Sequence, residues 1–249
     1  MIRWGGCTDV GRTRPINEDG YYISDYSAAY DAIYAIVADG MGGHQAGEIA
    51  SGLALKQVSD AINKGFFAQM TEQDLKKLLA SAVREANKNI YEMSMSEIGC
   101  VGMGTTITIC VLFGSYAMIA HVGDSRAYAM RGDALHQITT DHSLVQELLK
   151  SGQITAEEAE NHPQKNVITR ALGTDSDVDI DIYEFTVCAG DCIMLCTDGL
   201  SNLVTNQEIK EILSQNKHTS ENALAESLID LANQKGGFDN ITAVILKKD

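Results

Sequence analysis

Four aspartates flank apolar segments that have the pattern of buried strands, and their type and spacing suggest metal chemistry. They are Asp39, Asp124, Asp198 and Asp239. Strand ends can converge on one point of a folded protein, and carboxylates gathered there repel one another unless a proton or a cation compensates them. Oxygen ligands of this kind suit Mg²⁺ or Mn²⁺ better than zinc. The spacing therefore predicts a site for divalent metal ions.

An Asp-Gly pair, taken alone, is typical of a turn, and we interpret Asp133 beside Gly132 in the same way. Asp39 and Asp198 differ because each follows an apolar run and precedes a glycine, so the same pattern occurs twice. A glycine lacks Cβ, and its carbonyl oxygen can therefore approach a metal closely. The repeated pattern favours metal ligands over simple turns at these two positions.

Arg14 lies upstream of these aspartates, in a segment that also contains Glu18 and Asp19. A guanidinium in a cleft binds a phosphate dianion through parallel hydrogen bonds, because the shapes and charges of the two groups match. A surface loop in which Arg14 forms an ion pair with Glu18 or Asp19 explains the same residues. From this segment alone, both interpretations stay open.

The strands that must position these residues follow from the spacing of apolar side chains. We predict strands at 32–38, 105–113, 116–122, 125–131, 134–138, 178–187, 191–197 and 241–246. Gly-Ser and Gly-Asp dipeptides between apolar runs are hairpin signals, so the strands between 105 and 138 are expected to form an antiparallel meander. The stretch 139–173, with short helical pieces, is expected to pack on the sheet as an excursion.

Apolar residues at three-to-four spacing predict the helices. These are 46–62, 71–90, 205–213 and 220–233. Thr71 with Asp74, and Thr205 with Glu208, have the spacing of capping boxes. A strand block with pairs of helices is not a βαβ alternation, and it favours an α+β layered sandwich.

Composition and charge exclude several classes of protein. The 249 residues, 45% of them hydrophobic, allow one large domain or two small ones, and no domain boundary is visible. With 34 acidic and 19 basic residues the net charge is −15, which opposes binding to nucleic acid or anionic membranes. Neither a secretory signal nor a membrane-spanning apolar run is present. We therefore expect a single-domain cytoplasmic protein whose six cysteines are reduced thiols.

Seven short segments occur in order along most of the chain. They are RPINED at 14–19, VADGMGGH at 37–44, MGTT at 103–106, HVGDSR at 121–126, ITRALG at 168–173, CTDGL at 196–200 and DNIT at 239–242. In this order they resemble the motifs of the metal-dependent protein phosphatases of the 2C type, particularly the compact bacterial members. The resemblance implies a four-layer αββα sandwich in which helix pairs flank two antiparallel sheets, with residues 139–173 as a flap beside the site.

The resemblance also assigns metal ligands. It implies that Asp39 bridges two ions, with the Gly40 carbonyl on one ion and with Asp198 and Asp239 on the other. Asp124 would serve a third, weaker site. The implied cofactors are two ions of Mn²⁺ or Mg²⁺, with a third ion at the weaker site.

Further roles come from the same resemblance. Arg14 would bind the substrate phosphate, and Glu18 and Asp19 would orient metal-bound waters. His44 matches the histidine proposed as general acid in the bacterial form of the motif. Asn202 stands where the larger eukaryotic members have an aspartate, which leaves the third metal site with one fewer charged ligand.

The activity implied is that of a protein serine/threonine phosphatase. A hydroxide bridging the two ions would attack the phosphate monoester directly, without a phospho-enzyme. The implied partners are phosphorylated proteins and an opposing bacterial Ser/Thr kinase, and the chain is expected to act as a monomer. The competing hypothesis is a catalytically inactive, phosphoprotein-binding module on the same fold. Degraded ligands would mark such a module, whereas the predicted ligands are all present.

Overall fold

The computed structural model describes residues 2–27, 31–43, 46–66, 70–214 and 219–249. Its strands are β1 (Ile2–Asp9), β2 (Asp19–Ile23), β3 (Ala32–Met41), β4 (Gly104–Thr105), β5 (Ile107–Phe113), β6 (Tyr116–Val122), β7 (Arg126–Arg131), β8 (Ala134–Gln137), β9 (Asp181–Thr186), β10 (Cys192–Cys196) and β11 (Ile241–Lys248). Its helices are α1 (Ala46–Gly65), α2 (Glu72–Ser96), α3 (Leu144–Lys150), α4 (Ala156–Glu160), α5 (Asp198–Ser201), α6 (Asn206–Leu213) and α7 (Glu221–Gln234).

The strands form two antiparallel sheets. One has the order β1-β11-β10-β7-β8, and the other has the order β2-β3-β5-β6-β9, with β4 paired to β3. In the first sheet, β1 and β11 pair along their whole length, from Ile2 opposite Lys248 to Asp9 opposite Ile241. The predicted α+β class with antiparallel sheets is confirmed.

Alternating side chains of β3 show why its sequence is apolar without interruption. Ile33, Ala35 and Val37 belong to the core between the two sheets, whereas Tyr34 and Ile36 pack with α1 and α2. A strand buried on both faces needs an apolar residue at every position, and each fully buried large aliphatic side chain contributes about 1.5–3 kcal/mol. The helix pair therefore covers the outer face of this sheet.

The other sheet is layered in the same way, with α6 and α7 outside. Ile193 and Leu195 of β10 face the inter-sheet core, and Cys192 and Cys196 face the helices. Burial raises the pKa of both thiols to about 12, so they remain protonated at neutral pH. The prediction of reduced, mostly buried thiols holds for these two, while Cys188 is exposed and free.

The predicted meander is wrong at its centre. The β5–β6 and β7–β8 hairpins form as expected, but β6 and β7 belong to different sheets. The chain crosses between the sheets at 123–125, where Gly123 has φ +115, a left-handed value that favours glycine. A Cβ on Gly123 would lie 2.5 Å from Cβ of Thr106, so the crossing also requires a glycine for space. The crossing places Asp124 between the two sheets.

Helices α1, α2, α6 and α7 begin within one residue of the predicted positions, and the first turns of α2 and α6 are capped as expected. The Thr71 and Thr205 side chains accept from the N–H groups of Asp74 and Glu208, which complete the two capping boxes. Strands β1 and β2 and the short helix α5 were not predicted. Within the described part of the chain, no helix combines the length and apolar character that crossing a membrane requires.

Candidate active site

The predicted aspartates converge from four parts of the chain. Asp39 does not lie at a strand end as predicted, because β3 continues to Met41 and Gly40 pairs with Thr105 of β4. Its neighbour across the ladder is Asp19 of β2. The other three are Asp124 in the crossing between sheets, Asp198 at the start of α5 and Asp239 just before β11.

These carboxyl groups interact strongly. Burial raises the pKa of Asp39 well above its usual range, and repulsion from the other four aspartates raises it further. Burial, with the same kind of repulsion, raises the pKa of Asp19 to about 7 and that of Asp124 to about 8. Their charged forms are therefore unfavourable without positive charge nearby. Cations at this site would supply that compensation.

Two carboxylate oxygens at the site are buried without a hydrogen bond among the described residues. They are Oδ1 of Asp19 and Oδ1 of Asp124. A buried oxygen without a partner costs free energy, and hard divalent cations take oxygen ligands. The ionisable groups around these atoms include several other carboxylates, which are oxygen ligands. This set of ligands fits Mg²⁺ or Mn²⁺.

Buried threonines orient Asp19 and were missed by the sequence reasoning. The hydroxyls of Thr197 and Thr242 donate to Oδ2 of Asp19 at 2.7 and 2.8 Å. The contact leaves Oδ1 free to face the site. The only signal in the sequence was their place in the CTDGL and DNIT segments.

Asn240 is a second residue that sequence reasoning did not assign. Its side-chain N–H groups donate to the carbonyls of Val10 and Ile16, and its side-chain oxygen accepts from the Glu18 N–H at 2.8 Å. The loop that carries Arg14 is thus fastened to the start of β11. A contact between residues more than 200 positions apart leaves no local pattern that could have revealed it.

Arg14 lies at the site, but its partner differs from those considered in the sequence. Its Nη2 is 2.9 Å from Oδ2 of Asp239, and neither Glu18 nor Asp19 forms its ion pair. The Asp239 Oδ1 accepts from the Asn240 N–H at 2.9 Å. Both oxygens of this predicted ligand are therefore engaged.

Because both oxygens of Asp239 already have hydrogen-bond partners in this arrangement, a metal ion bound there would compete with those partners. Across residues 2–27, 31–43, 46–66, 70–214 and 219–249, no three His, Cys, Asp or Glu side chains stand in an arrangement that would by itself hold a metal ion. The carboxylates are neighbours, yet Asp239 is held by Arg14. The Asp198 Oδ2 accepts from Asn202 at 3.0 Å.

Gly40 and Glu18 meet the beginning of α1. A Cβ on Gly40 would lie 2.1 Å from the carbonyl oxygen of Gly47, so only glycine fits where α1 packs against β3. The Glu18 Oε1 accepts from the Gly47 N–H at 3.1 Å, at the positive end of the helix dipole. Glu18 is therefore fixed beside the site. The predicted general acid, His44, lies outside the described residues.

A polar cavity of about 560 Å³ opens beside Asp124 and Asp198. Residues of the 139–173 segment, including Ser143 and Lys165, form one wall, and the residues following Asp198 form another. Arg126 lies in the wall and makes a bidentate ion pair with Asp141. The cavity is large enough for a side chain next to a group bound at the aspartates.

The chain is similar to known proteins along most of its length. The family model for protein phosphatase 2C matches residues 13–233. The serine/threonine phosphatase stp of Listeria monocytogenes serotype 4b (strain F2365) is 42% identical over 242 residues, which cover 97% of this chain and 94% of the relative.

Solved structures give the same result. The serine/threonine phosphatase of S. agalactiae is 34% identical with a TM-score of 0.91, and both chains are covered completely. The catalytic domain of the serine/threonine protein phosphatase PstP, in complex with two manganese ions, is 36% identical with a TM-score of 0.84. That match covers 100% of this chain and 99% of the other.

Proposed function

The chain belongs to the protein phosphatase 2C family and is a protein serine/threonine phosphatase. We propose that it hydrolyses phosphoserine and phosphothreonine monoesters with the help of divalent metal ions held by its buried aspartates. The buried, unpartnered carboxylate oxygens of Asp19 and Asp124 are the observation that supports this most directly. The PstP relative in complex with two manganese ions supports Mn²⁺ as the first ion to test.

We assign the metal ligands as the family resemblance implies. Asp39 would contact both ions, the Gly40 carbonyl one of them, and Asp198 and Asp239 the other, while Asp124 would hold a third. When bound, such ions supply a hydroxide near neutral pH as the nucleophile and offset the charge that develops on the phosphoryl group. The reaction proposed is direct hydrolysis by that hydroxide, without a phospho-enzyme.

The protein's own groups would bind and orient the substrate. Arg14 is half-exposed, and its guanidinium shares one N–H group with Asp239, so further N–H groups can bind phosphate oxygens. Glu18 and Asp19 are fixed by the Gly47 N–H and by two threonine hydroxyls. The role proposed for these two carboxylates is to orient metal-bound waters.

The cavity beside Asp124 and Asp198 is proposed to receive substrate residues next to the phosphorylated one. The 139–173 segment would then act as a flap that influences substrate choice, within a single catalytic domain of residues 1–249. Exchange of this segment between two such phosphatases is expected to change peptide preference. An unchanged preference would defeat this part of the proposal.

The opposing partner proposed is a bacterial Ser/Thr kinase that acts on the same phosphoproteins. Phosphoproteomics on a strain that lacks the gene would identify those proteins directly. The cytoplasmic location and the monomeric state stay predictions.

The decisive assay compares hydrolysis of a phosphothreonine peptide in Mn²⁺ and in EDTA, with wild type and Asp198→Ala. We expect activity in Mn²⁺, none in EDTA, and a loss of at least about 100-fold in the variant, since a direct ligand should matter more than an outer-shell partner. Activity that persists in EDTA, or in the folded Asp198→Ala protein, contradicts the metal assignment. A wild type that binds phosphopeptide but never cleaves it would favour the inactive binding module.

A further inference from the structure

His142 is a buried histidine outside the ligand set, and it binds both polar backbone groups of Gly123. Its Nδ1 accepts from the Gly123 N–H at 3.0 Å, and its own backbone N–H donates to the Gly123 carbonyl at 2.8 Å. The next residue is Asp124, whose Oδ1 is buried without a hydrogen bond. The 139–173 segment thus holds the peptide that presents this carboxylate.

Asp181 and Arg170 lie on the Nε2 side of the His142 ring and orient it. Because Nδ1 accepts a hydrogen bond, the proton of the neutral ring lies on Nε2, which faces Oδ2 of Asp181 at 3.3 Å. Nη1 of Arg170 lies 3.1 Å from the same nitrogen, but it can only donate, so its acceptor is Asp181 and not the protonated Nε2. Arg170 donates to the other oxygen of Asp181 at 3.0 Å and keeps that carboxylate charged. A carboxylate that fixes the tautomer of a histidine is a common device for positioning a third group.

A second buried ring supports the first. The ring centroids of His121 and His142 lie 4.8 Å apart, and His121 is held by the Thr108 hydroxyl and the Thr140 carbonyl. Burial lowers the pKa of both histidines, to about 3 for His121, so both rings are neutral at pH 7. A neutral His142 keeps the Nδ1 acceptor that Gly123 requires.

The opposite side of the crossing is also fastened. The Thr106 hydroxyl lies 2.8 Å from the Ser125 hydroxyl and accepts from the Asp39 N–H at 3.0 Å. Residues 123–125 are therefore held between the strand that carries Asp39 and the base of the 139–173 segment. Loss of either attachment would leave Asp124 less well ordered.

We propose that His142 is a positioning residue of this phosphatase, which holds the Gly123–Asp124 peptide and thereby sets the affinity of the Asp124 site for a divalent cation. The inference rests on the proposed function, since it takes Asp124 as a metal ligand. His142 itself contacts neither cation nor substrate in this role. It links the 139–173 segment to the metal site, so a change in the segment reaches Asp124 through one side chain.

The test is Mn²⁺ titration of the full chain by calorimetry, together with peptide hydrolysis at increasing Mn²⁺. The Asp124 site is identified as the binding event that Asp124→Ala removes. We expect His142→Phe to weaken that event about tenfold, at the low end of the effects of outer-shell partners on metal sites. The kcat at saturating Mn²⁺ should stay within about twofold of wild type, which a general loss of structure would not allow.

The conservative variant is His142→Asn, whose side-chain oxygen can accept the Gly123 N–H. It should restore Mn²⁺ affinity to within about threefold of wild type. In the NMR spectrum, the Gly123 amide should shift and exchange faster in His142→Phe than in His142→Asn. Should His142→Phe fail to fold, Asp181→Ala replaces it, and it should weaken the same binding event to a smaller extent because the ring loses its orienting carboxylate.

Thr139→Val is the matched control. Thr139 is also buried at the base of the segment, and its hydroxyl accepts a backbone N–H at 3.0 Å, but that N–H belongs to Ala127. This variant should lose stability without weakening the Asp124 site. Equal weakening by Thr139→Val, unchanged affinity in His142→Phe, or no event removed by Asp124→Ala would overturn the inference. Wild-type protein that binds no Mn²⁺ would instead overturn the proposed function.

Discussion

Two parts of the site hold their carboxylates in different ways. Asp19 and Asp39, which we call the strand corner, sit opposite each other on adjacent strands of one ladder. Asp124, which we call the crossing corner, sits on a short link between two sheets and is fixed by single side chains, Thr106 and His142. In the strand corner, many backbone hydrogen bonds of the ladder hold the two aspartates in place. The crossing corner is held by only a few side-chain hydrogen bonds, so we expect its position to change more easily.

The largest expected effect separates the two corners directly. Asp39→Ala should abolish phosphopeptide hydrolysis, with a loss of at least about 100-fold at every Mn²⁺ concentration, because every proposed ion contacts or neighbours it. Asp124→Ala should raise the Mn²⁺ needed for half-maximal activity and leave much of kcat at saturation. Kinetics over a Mn²⁺ series measures both. Equal loss of kcat in the two variants would remove the distinction between the corners.

The next prediction tests the backbone of the crossing corner. Gly123→Ala should lower the free energy of unfolding by about 2–3 kcal/mol, because the residue has a left-handed φ and the new Cβ would collide with Thr106. Urea unfolding of the protein without added metal checks this value.

Gly132→Ala is the control for that measurement. Gly132 has φ +58 in the β7–β8 hairpin, and a Cβ added there would meet no atom within 4 Å, so only about 1 kcal/mol of backbone strain is expected. If the two alanine variants were equally stable, the crossing would not be tightly packed.

The smallest effect concerns the strand corner. Thr197→Val removes one of two hydroxyls that orient Asp19, and we expect kcat/KM to fall about tenfold. The same change leaves the buried Thr242 N–H without its acceptor, so the free energy of unfolding should also fall, by about 1–3 kcal/mol. Thr8→Val is the matched control, because the Thr8 hydroxyl contacts Thr242 and not the carboxylate. Steady-state kinetics that showed equal losses in both variants would argue against a specific role of Thr197.

The sequence predicted what depends on local pattern. The starts of α2 and α6 were correct because the caps Thr71 and Thr205 act within one turn, and the aspartates were found because they flank apolar runs. The crossing at Gly123 was not foreseen, because nothing local distinguishes a glycine that ends a hairpin from one that changes sheets. Strand β1 was missed as an edge strand that contains Gly5 and Gly6.

The contacts that finish the site lie beyond local pattern. Asn240 binds residues more than 200 positions earlier in the chain, and His142 binds Gly123, which lies 19 positions earlier. The geometry of these contacts follows from tertiary packing, so it could not be predicted from the local sequence pattern alone. The family resemblance supplied the ligand set, whereas the supporting contacts required the structure.

The pairing of β1 with β11 has a consequence for synthesis. Among the described strands of its sheet, β1 pairs only with β11, so β1 cannot join the sheet until β11 has been synthesised. Contacts of such large sequence separation form slowly. Asp239 and Asn240 immediately precede β11, so a ribosome-bound chain lacking this strand cannot assemble the site. Phosphatase activity should therefore begin only after β11 has been synthesised, and a chain truncated before β11 should be inactive.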